Sequence, residues 1–354
     1  MKKNYFLLVL LLSLGLCLLA QEIDKKQTYQ MTGVAFYNVE NLYDTIRDPK
    51  INDEEYTPQS KKNWNSERYN TKLQHISKVM REMGKEFGVD APLVIGLCEV
   101  ENRKVLEDLT RTELLKGKLY RIVHFDSPDR RGIDVALLYR SQYFKLIAQN
   151  SHILKAPAEM PDLITRSQLV ATGIIDKDTL SFIVNHWPSR SGGEERSRPG
   201  RIAAAKLTRH IIDSIRIKSP NAKVMAMGDF NDAPNNESLS VYLKGKESIN
   251  VKDPKDKDNL YNPMYELHNK GIGTLAYADR WSIFDQIIMT PALLEQKEGK
   301  YSYIDKSARA FNAKWLATSN GRFKGYPFRT YVGDRYMGGY SDHFPVMIFL
   351  GKKD

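Results

Sequence analysis

This sequence predicts an α/β protein in which two β-sheets pack together and helices cover their outer faces. Three observations predict it. Short apolar runs recur along the chain, and each ends in a polar group. Between residues 120 and 185 such runs follow one another with little helical pattern between them, which implies antiparallel pairing. Apolar residues at helical spacing then mark residues 66–87, 103–116 and 201–217 as helices to lay over the sheets.

The N-terminus reads as a secretory signal over residues 1–20. Lys2 and Lys3 precede an apolar run from Tyr5 to Leu19, and Ala20 supplies the small residue after which cleavage is expected. The run is short for a membrane span. A lipid anchor at Cys17 is disfavoured because Leu16 is too large for the preceding position. The expected destination is the periplasm or the extracellular medium. Residues 21–30 read as a polar leader. Residues 31–351 read as a single domain, because no repeat, Pro/Ser linker or change of composition divides them.

Residues 31–37 (MTGVAFY) form the first expected strand, which delivers Asn38, Glu40 and Asn41. Residues 44–65 are polar and read as a surface loop. The helix at 66–87 carries Tyr69, Leu73, Ile76, Val79, Met80, Met83 and Phe87 on one face, with Gly88 as its stop. Leu93 to Leu97 is a short buried strand that leads into Cys98 and Glu99. After the 103–116 helix, strands are expected at 120–125, 133–139, 143–149, 167–175 and 179–185. The last of these ends in Asn185-His186-Trp187-Pro188. A basic loop at 189–200 precedes the 201–217 helix. Val224 to Met227 is apolar, Gly228 is expected to end that strand, and Asp229, Phe230 and Asn231 follow at once. Residues 233–280 read as irregular, with a lysine-rich patch at 252–257. Residues 283–289 (IFDQIIM) form another strand, 300–340 are rich in Tyr, Arg and Gly, and Phe344 to Leu350 closes the series directly after Ser341-Asp342-His343.

The chain has 354 residues, 42% apolar and 27% charged. That suffices for a sizeable core and excludes a disordered protein. The formal net charge is +10, and removing residues 1–20, which hold two lysines and no acid, leaves +8. A basic exported protein attracts polyanions. Beyond the signal Cys98 is the only cysteine, so neither an internal disulfide nor a cysteine metal cluster is available.

Asn38, Glu99, His186, Asp229 with Asn231, Asp285, and Asp342 with His343 all stand at or near strand ends. Carboxylate, amide and imidazole groups of this kind handle metal ions and phosphates. Asp285 lies within an apolar strand, where a buried carboxylate must be paired.

The series NVEN, LCEVEN, RRGIDVALLYR, NHWPSRSGG, GDFND, FDQII and SDHFPV resembles the endonuclease/exonuclease/phosphatase superfamily, including deoxyribonuclease I and secreted bacterial nuclease-like members. The likeness runs from about residue 31 to 350. It implies a four-layer α/β/β/α sandwich of two mixed β-sheets flanked by helices. It also implies metal-dependent hydrolysis of a phosphate ester. On this resemblance Glu99, Asn38 and Asp342 attend a divalent ion, Mg2+ with Mn2+ or Ca2+ as alternatives. Asp229 and Asn231 orient water and hold phosphate. His343 and Asp285 form a pair in which His343 acts either as general base or as a cationic clamp, and His186 contacts phosphate or protonates the leaving group. Asp134 is a weaker candidate to orient His186. Arg131 and Arg190, in loops beside strand ends, are candidates to bind phosphate. Trp187, Trp281, Tyr326 and Tyr331 are candidates to stack on bases.

The expected function is therefore an exported endonuclease acting on nucleic acid. The alternative is a phosphatase or phosphodiesterase acting on inositol phosphate, sphingomyelin or another small ester. A monomer without a stable protein partner is expected. A degenerate, non-catalytic binding module is the least favoured reading, because no expected catalytic residue is missing.

Overall fold

Strand β1 (Tyr29–Leu42) opens the part of the chain that a computed structural model describes, residues 29–353. The expected signal, most of the leader and Cys17 lie outside the described residues. There follow α1 (Ser66–Glu82), β2 (Val94–Val100), α2 (Arg103–Thr110), β3 (Tyr120–His124), β4 (Asp134–Arg140), β5 (Lys145–His152), β6 (Gln168–Ile175), β7 (Asp178–His186), α3 (Glu194–Lys218) and β8 (Lys223–Asp229). Beyond them come β9 (Gly245–Lys246), β10 (Leu260–Tyr261), α4 (Met264–Asn269), the hairpin β11 (Leu275–Tyr277) and β12 (Arg280–Ser282), and β13 (Asp285–Met289). The chain closes with β14 (Ser302–Tyr303), β15 (Arg309–Ala310), the hairpin β16 (Tyr331–Val332) and β17 (Arg335–Tyr336), and β18 (Val346–Lys353).

One sheet runs β14-β18-β1-β2-β4-β3, with β15 also on β18. The other runs β5-β6-β7-β8-β13-β10-β9. Both are mixed: β1 and β2 are parallel, as are β7 and β8, while most other neighbours are antiparallel. The two-residue alternation of a strand explains the layering. Val34 and Phe36 of β1, with Met225 and Met227 of β8, fill the space between the sheets. Ala35 and Tyr37 face the other way, toward Ile76 of α1 and Leu106 of α2. Ala226 of β8 and Ile183 of β7 pack against Ala204 and Ile211 of α3. Buried on both faces, these strands read as continuous apolar runs. The order of layers is helix, sheet, sheet, helix, as the resemblance implies. No helix among the described residues is long and apolar enough to cross a membrane.

Several boundaries differ from expectation for identifiable reasons. The first helix stops at Glu82, because Gly84 takes a left-handed φ of 83° four residues before Gly88. The second stops at Thr110, where the Thr110 and Thr112 hydroxyls donate to the Glu107 and Leu109 carbonyls. The third starts at Glu194, so the Pro-Gly pair at 199–200 lies inside it rather than ahead of it. Pro199 has no N–H to give the Glu195 carbonyl, and Arg201 braces the adjoining turn by donating to the Glu194 carbonyl at 3.0 Å. Residues 233–280, expected to be irregular, hold three strand pairings and a short helix.

Candidate active site

Three site residues stand in a single row. His186 of β7 is directly opposite Asp229 of β8, which is directly opposite Asp285 of β13. Neighbouring strands lie about 4.8 Å apart, so the row spans about 10 Å. Gly228 does not end its strand; β8 continues through Asp229. Glycine is needed there because a Cβ would sit 2.4 Å from the Asn185 carbonyl oxygen on β7. The chain then turns at Asn231 (φ 51°), whose N–H donates to Asp229 Oδ1 at 3.0 Å. The Asn231 amide is anchored on the Trp187 carbonyl at 3.0 Å.

The other sheet supplies Asn38 and Glu99 through two bulges. Leu97 faces the helices and Cys98 the inter-sheet core, yet Val100 again faces the helices. Strict alternation forbids this, and the register does shift between Cys98 and Val100. Glu99, at φ 62°, is the extra residue, and the bulge re-aims its side chain. Glu99 Oε2 accepts the Asn41 N–H at 3.0 Å. Asn38 follows the same logic in β1, where the register shifts between Asn38 and Leu42. Its amide nitrogen donates to Asp229 Oδ2 at 3.1 Å and to Glu99 Oε1 at 3.4 Å, and so bridges the sheets.

The electrostatics separate the two histidines. His343 Nδ1 bonds Asp285 Oδ2 at 2.7 Å, and its Nε2 lies 3.9 Å from Asp229 Oδ2. Burial opposes its charge, but Asp285 and Asp229 outweigh burial and hold it well above the ordinary histidine range. His186 Nε2 lies 3.7 Å from the same Asp229 oxygen and 3.9 Å from Glu99 Oε1. Burial, with Arg166, Arg131 and His343 adding to it, pushes His186 well below that range. The surroundings thus favour the cationic form of one imidazole and the neutral form of the other. Asp229, between them, is pushed up to about 7 by burial and by Asp285, against the lowering effect of His343 and of its hydrogen bonds.

A profile of the endonuclease/exonuclease/phosphatase family matches residues 33–352. The chain belongs to that family. Members of the family are phosphoesterases. No curated protein matches the chain by sequence. Among solved structures, zebrafish (D. rerio) TDP2 complexed with a single-strand DNA product is similar, at 12% identity and TM-score 0.53. That likeness covers 91% of this chain and 99% of that one. A mannosyl-6-phosphatase from Bacteroides thetaiotaomicron is similar at 15% identity and TM-score 0.51, covering 90% and 99%. The human Nocturnin catalytic domain, with bound sulfate, is similar at 15% identity and TM-score 0.52, covering 92% and 97%. At these identities the likeness concerns the fold, which is the two-sheet sandwich of the family.

Family enzymes depend on a divalent metal, and the residues present fit one. Carboxylate oxygens of Glu99 and Asp229, from opposite sheets, converge on the Asn38 amide at 3.4 and 3.1 Å. The buried carboxylates of Asp229 and Asp285 sit beside Glu99 with only one histidine cation among them, and Asp285 Oδ1 has no partner. Oxygen donors with excess negative charge suit a hard cation. Asn38 stands here as a donor to the carboxylates, and its Oδ1 accepts the Glu40 N–H at 3.0 Å rather than facing the site.

Three expected assignments differ from what the structure holds. Asp134 does not reach His186: its Oδ2 binds His124 Nε2 at 2.9 Å and its Oδ1 accepts from Ser127. Both of its oxygens are thus taken within its own sheet and the loop beside it. His186 Nδ1 has no hydrogen-bond partner. Asp342 gives its carboxylate to Arg329 at 2.9 Å, so the expected metal neighbour is already paired with a cation. Arg190 is not free for phosphate. Its guanidinium holds the Asn231 carbonyl (2.9 Å), Asp232 (2.9 Å), Asn236 (3.0 Å) and Glu194 (2.7 Å), which makes it a brace for the Asp229–Asn231 turn. Arg131 remains half exposed beside Asp129, near enough to Glu99 and His186 to affect both.

Sequence reasoning missed Arg166, which is buried and links Asp129 (3.1 Å) to the Trp187 carbonyl (2.6 Å) next to His186. No local pattern marks it. It also missed Ser341, whose hydroxyl donates to the Asn38 carbonyl at 2.7 Å and accepts the His343 N–H at 3.1 Å. One hydroxyl thus fixes the His343 loop to the strand that carries Asn38.

Burial raises Glu101, two residues past Glu99, to about 8, although the Asp44 N–H bond lowers it. The folded state therefore holds a proton that the unfolded state releases above its ordinary value of 4.5. Its stabilising contribution is complete below pH 4.5 and is lost as pH rises through 8. Glu101→Gln should raise Tm by about 2–4 °C at pH 9 and by almost nothing at pH 4.5. A gain that is equal at both values, read by thermal melts, contradicts this.

Proposed function

We propose that the protein is an exported nuclease that hydrolyses internal phosphodiester bonds of nucleic acid with Mg2+, for which Mn2+ or Ca2+ can substitute. The observation that carries the reading is the His186–Asp229–Asp285 row with His343 against it: one carboxylate lies between a neutral and a cationic imidazole. Glu99, assisted by Asn38 if its amide turns, is the residue to hold the ion. When bound, the ion supplies polarisation of a phosphate oxygen and stabilisation of the leaving oxyanion.

Asp229 orients the attacking water and takes its proton, a role suited to a carboxyl that titrates near neutrality. His343, kept charged by Asp285, clamps a non-bridging phosphate oxygen as the phosphorus gains its fifth oxygen. That assignment favours the clamp over the base for His343. His186, neutral, donates a hydrogen bond from Nε2 to the phosphate. The Asn231 N–H and Arg190 keep Asp229 aimed. A net charge of +8 once residues 1–20 are removed favours a polyanionic substrate over a neutral one.

The test is hydrolysis by the purified protein lacking residues 1–20. Supercoiled plasmid, RNA, bis(p-nitrophenyl) phosphate, inositol phosphates and sphingomyelin would each be offered with Mg2+ and with EDTA. Nicking of plasmid with Mg2+, abolished by EDTA, is the expected result. Cleavage of small esters alone overturns the nuclease reading in favour of the small-ester alternative. Full activity in EDTA overturns the metal requirement.

A further inference from the structure

The two ends of the site row are unlike each other, and neither is needed for a single phosphate. Beyond Asp285 lies an aromatic platform on the β11–β12 hairpin. The Trp281 ring stacks on Phe344, the residue after His343, with centroids 6.1 Å apart and planes 9° apart. Tyr326 packs on Trp281 at 5.6 Å and Phe323 on Tyr326 at 5.5 Å. The Tyr326 hydroxyl is tied to Asp279 of the hairpin turn at 2.5 Å. Trp281 is nonetheless 39% exposed and Phe323 48% exposed. Large aromatic faces left open to water, yet held rigid from behind, are arranged to receive a flat partner. Arg280 and Lys324 stand exposed beside them with no ion-pair partner among the described residues.

Beyond His186, at the other end, lies a groove of about 480 Å³ lined by Arg130, Arg196, Met160 and Leu163. Its floor is tied to the site through Gly200, where a Cβ would meet Leu163, Met160 and Pro188, the last only two residues past His186. Glu159 and Asp162 share the lining, yet neither pairs with an arginine, and Arg130 and Arg196 have no ion-pair partner among the described residues. Arg130 and Arg196, free of direct ion pairs although two carboxylates share the groove, are the groups there that can take up a further phosphate.

We propose that a single strand of nucleic acid lies across the row, with an unpaired base stacked on Trp281 beside His343 and a backbone phosphate held by Arg130 and Arg196 beside His186. This rests on the nuclease reading above and deepens it, because a duplex keeps its bases from the platform whereas a single strand offers them. The platform adjoins Phe344, next to His343, and the groove adjoins Pro188, two residues past His186. The order platform, row, groove thus matches base, scissile phosphate, next phosphate along one strand.

The test is binding of a fluorescein-labelled 12-nucleotide single strand, in EDTA, followed by anisotropy against salt, with a hairpin duplex of the same composition for comparison. The single strand should bind at least about tenfold more tightly than the duplex. Trp281→Leu, which keeps apolar packing on Phe344, should raise the single-strand Kd about tenfold, and Phe323→Ser, on the outer edge, should raise it less. Arg130→Gln with Arg196→Gln should lower the slope of log K against log salt by about 1.4. Equal affinity for duplex overturns the proposal, as does an unchanged Kd in both aromatic variants. Binding to anionic phospholipid vesicles without oligonucleotide binding overturns it in favour of a membrane surface. Nicking of supercoiled plasmid with Mg2+ separates the two readings. A protein that nicks plasmid but shows no preference for the single strand defeats the flanks alone. Oligonucleotide binding without any hydrolysis defeats the nuclease reading alone.

Discussion

Asp229→Asn should lower kcat for phosphodiester hydrolysis by about a thousandfold and leave KM within a few-fold. Asp229 is the carboxylate that both imidazoles face, at 3.7 Å from His186 and 3.9 Å from His343. An amide of the same shape can still accept the Asn231 N–H, so the turn keeps its form while the proton acceptor is gone. Neither imidazole replaces it: His343 is already charged and His186 is buried on the far side. Steady-state kinetics on bis(p-nitrophenyl) phosphate check this. A loss of less than tenfold would mean that the water's proton goes elsewhere. Loss of folding, seen by circular dichroism, would instead show that the Asn38–Asp229 bridge between the sheets is structural.

Asp285→Asn should have a pH-dependent effect. Asp285 supplies the largest force that keeps His343 protonated against burial. Without that anion, the His343 pKa falls and burial dominates. The native enzyme keeps the imidazolium through neutral pH, whereas the variant loses its proton as pH rises. The deficit in kcat should therefore be smallest near pH 5.5 and reach about a hundredfold at pH 8. A general-base role for His343 predicts a ratio above one on the acid side, where the native imidazole is blocked by its proton, falling toward one at alkaline pH. The level of the variant-to-native kcat ratio from pH 5 to 9, and not its slope, decides between clamp and base: about one falling to about a hundredth for the clamp, above one falling to about one for the base.

Much of this site was legible before any coordinates. Asn38, Glu99, His186, Asp229, Asp285 and His343 stand at strand ends, and the structure brings all six together. They were readable because a buried strand is an apolar run and its end is where polarity returns. The misreadings share a cause. Asp134 and Arg190 also stand at strand or loop ends beside motif residues, but one is claimed by His124 and the other by four partners around the Asp229 turn. Competition among partners is a property of the fold. Gly228 and the 189–200 loop misled for a related reason: Gly228 reads from sequence as a break and 189–200 as a loop, and tertiary packing made one a close strand contact and put residues 194–200 inside a helix.

By itself the sequence determined the layers and the chemical inventory. Apolar periods of two and near 3.6 set which segments become strands and helices, and they leave the polar groups at one edge. Only the tertiary structure decided the pairing. Asn38 meets Asp229 across 191 residues, and His343 meets Asp285 across 58. Strand register put His186, Asp229 and Asp285 in one row, and a bulge turned Glu99 toward them. Those distances and the burial around them make one histidine a cation and the other neutral. No local pattern encodes that difference, because it arises from the charges that face each ring.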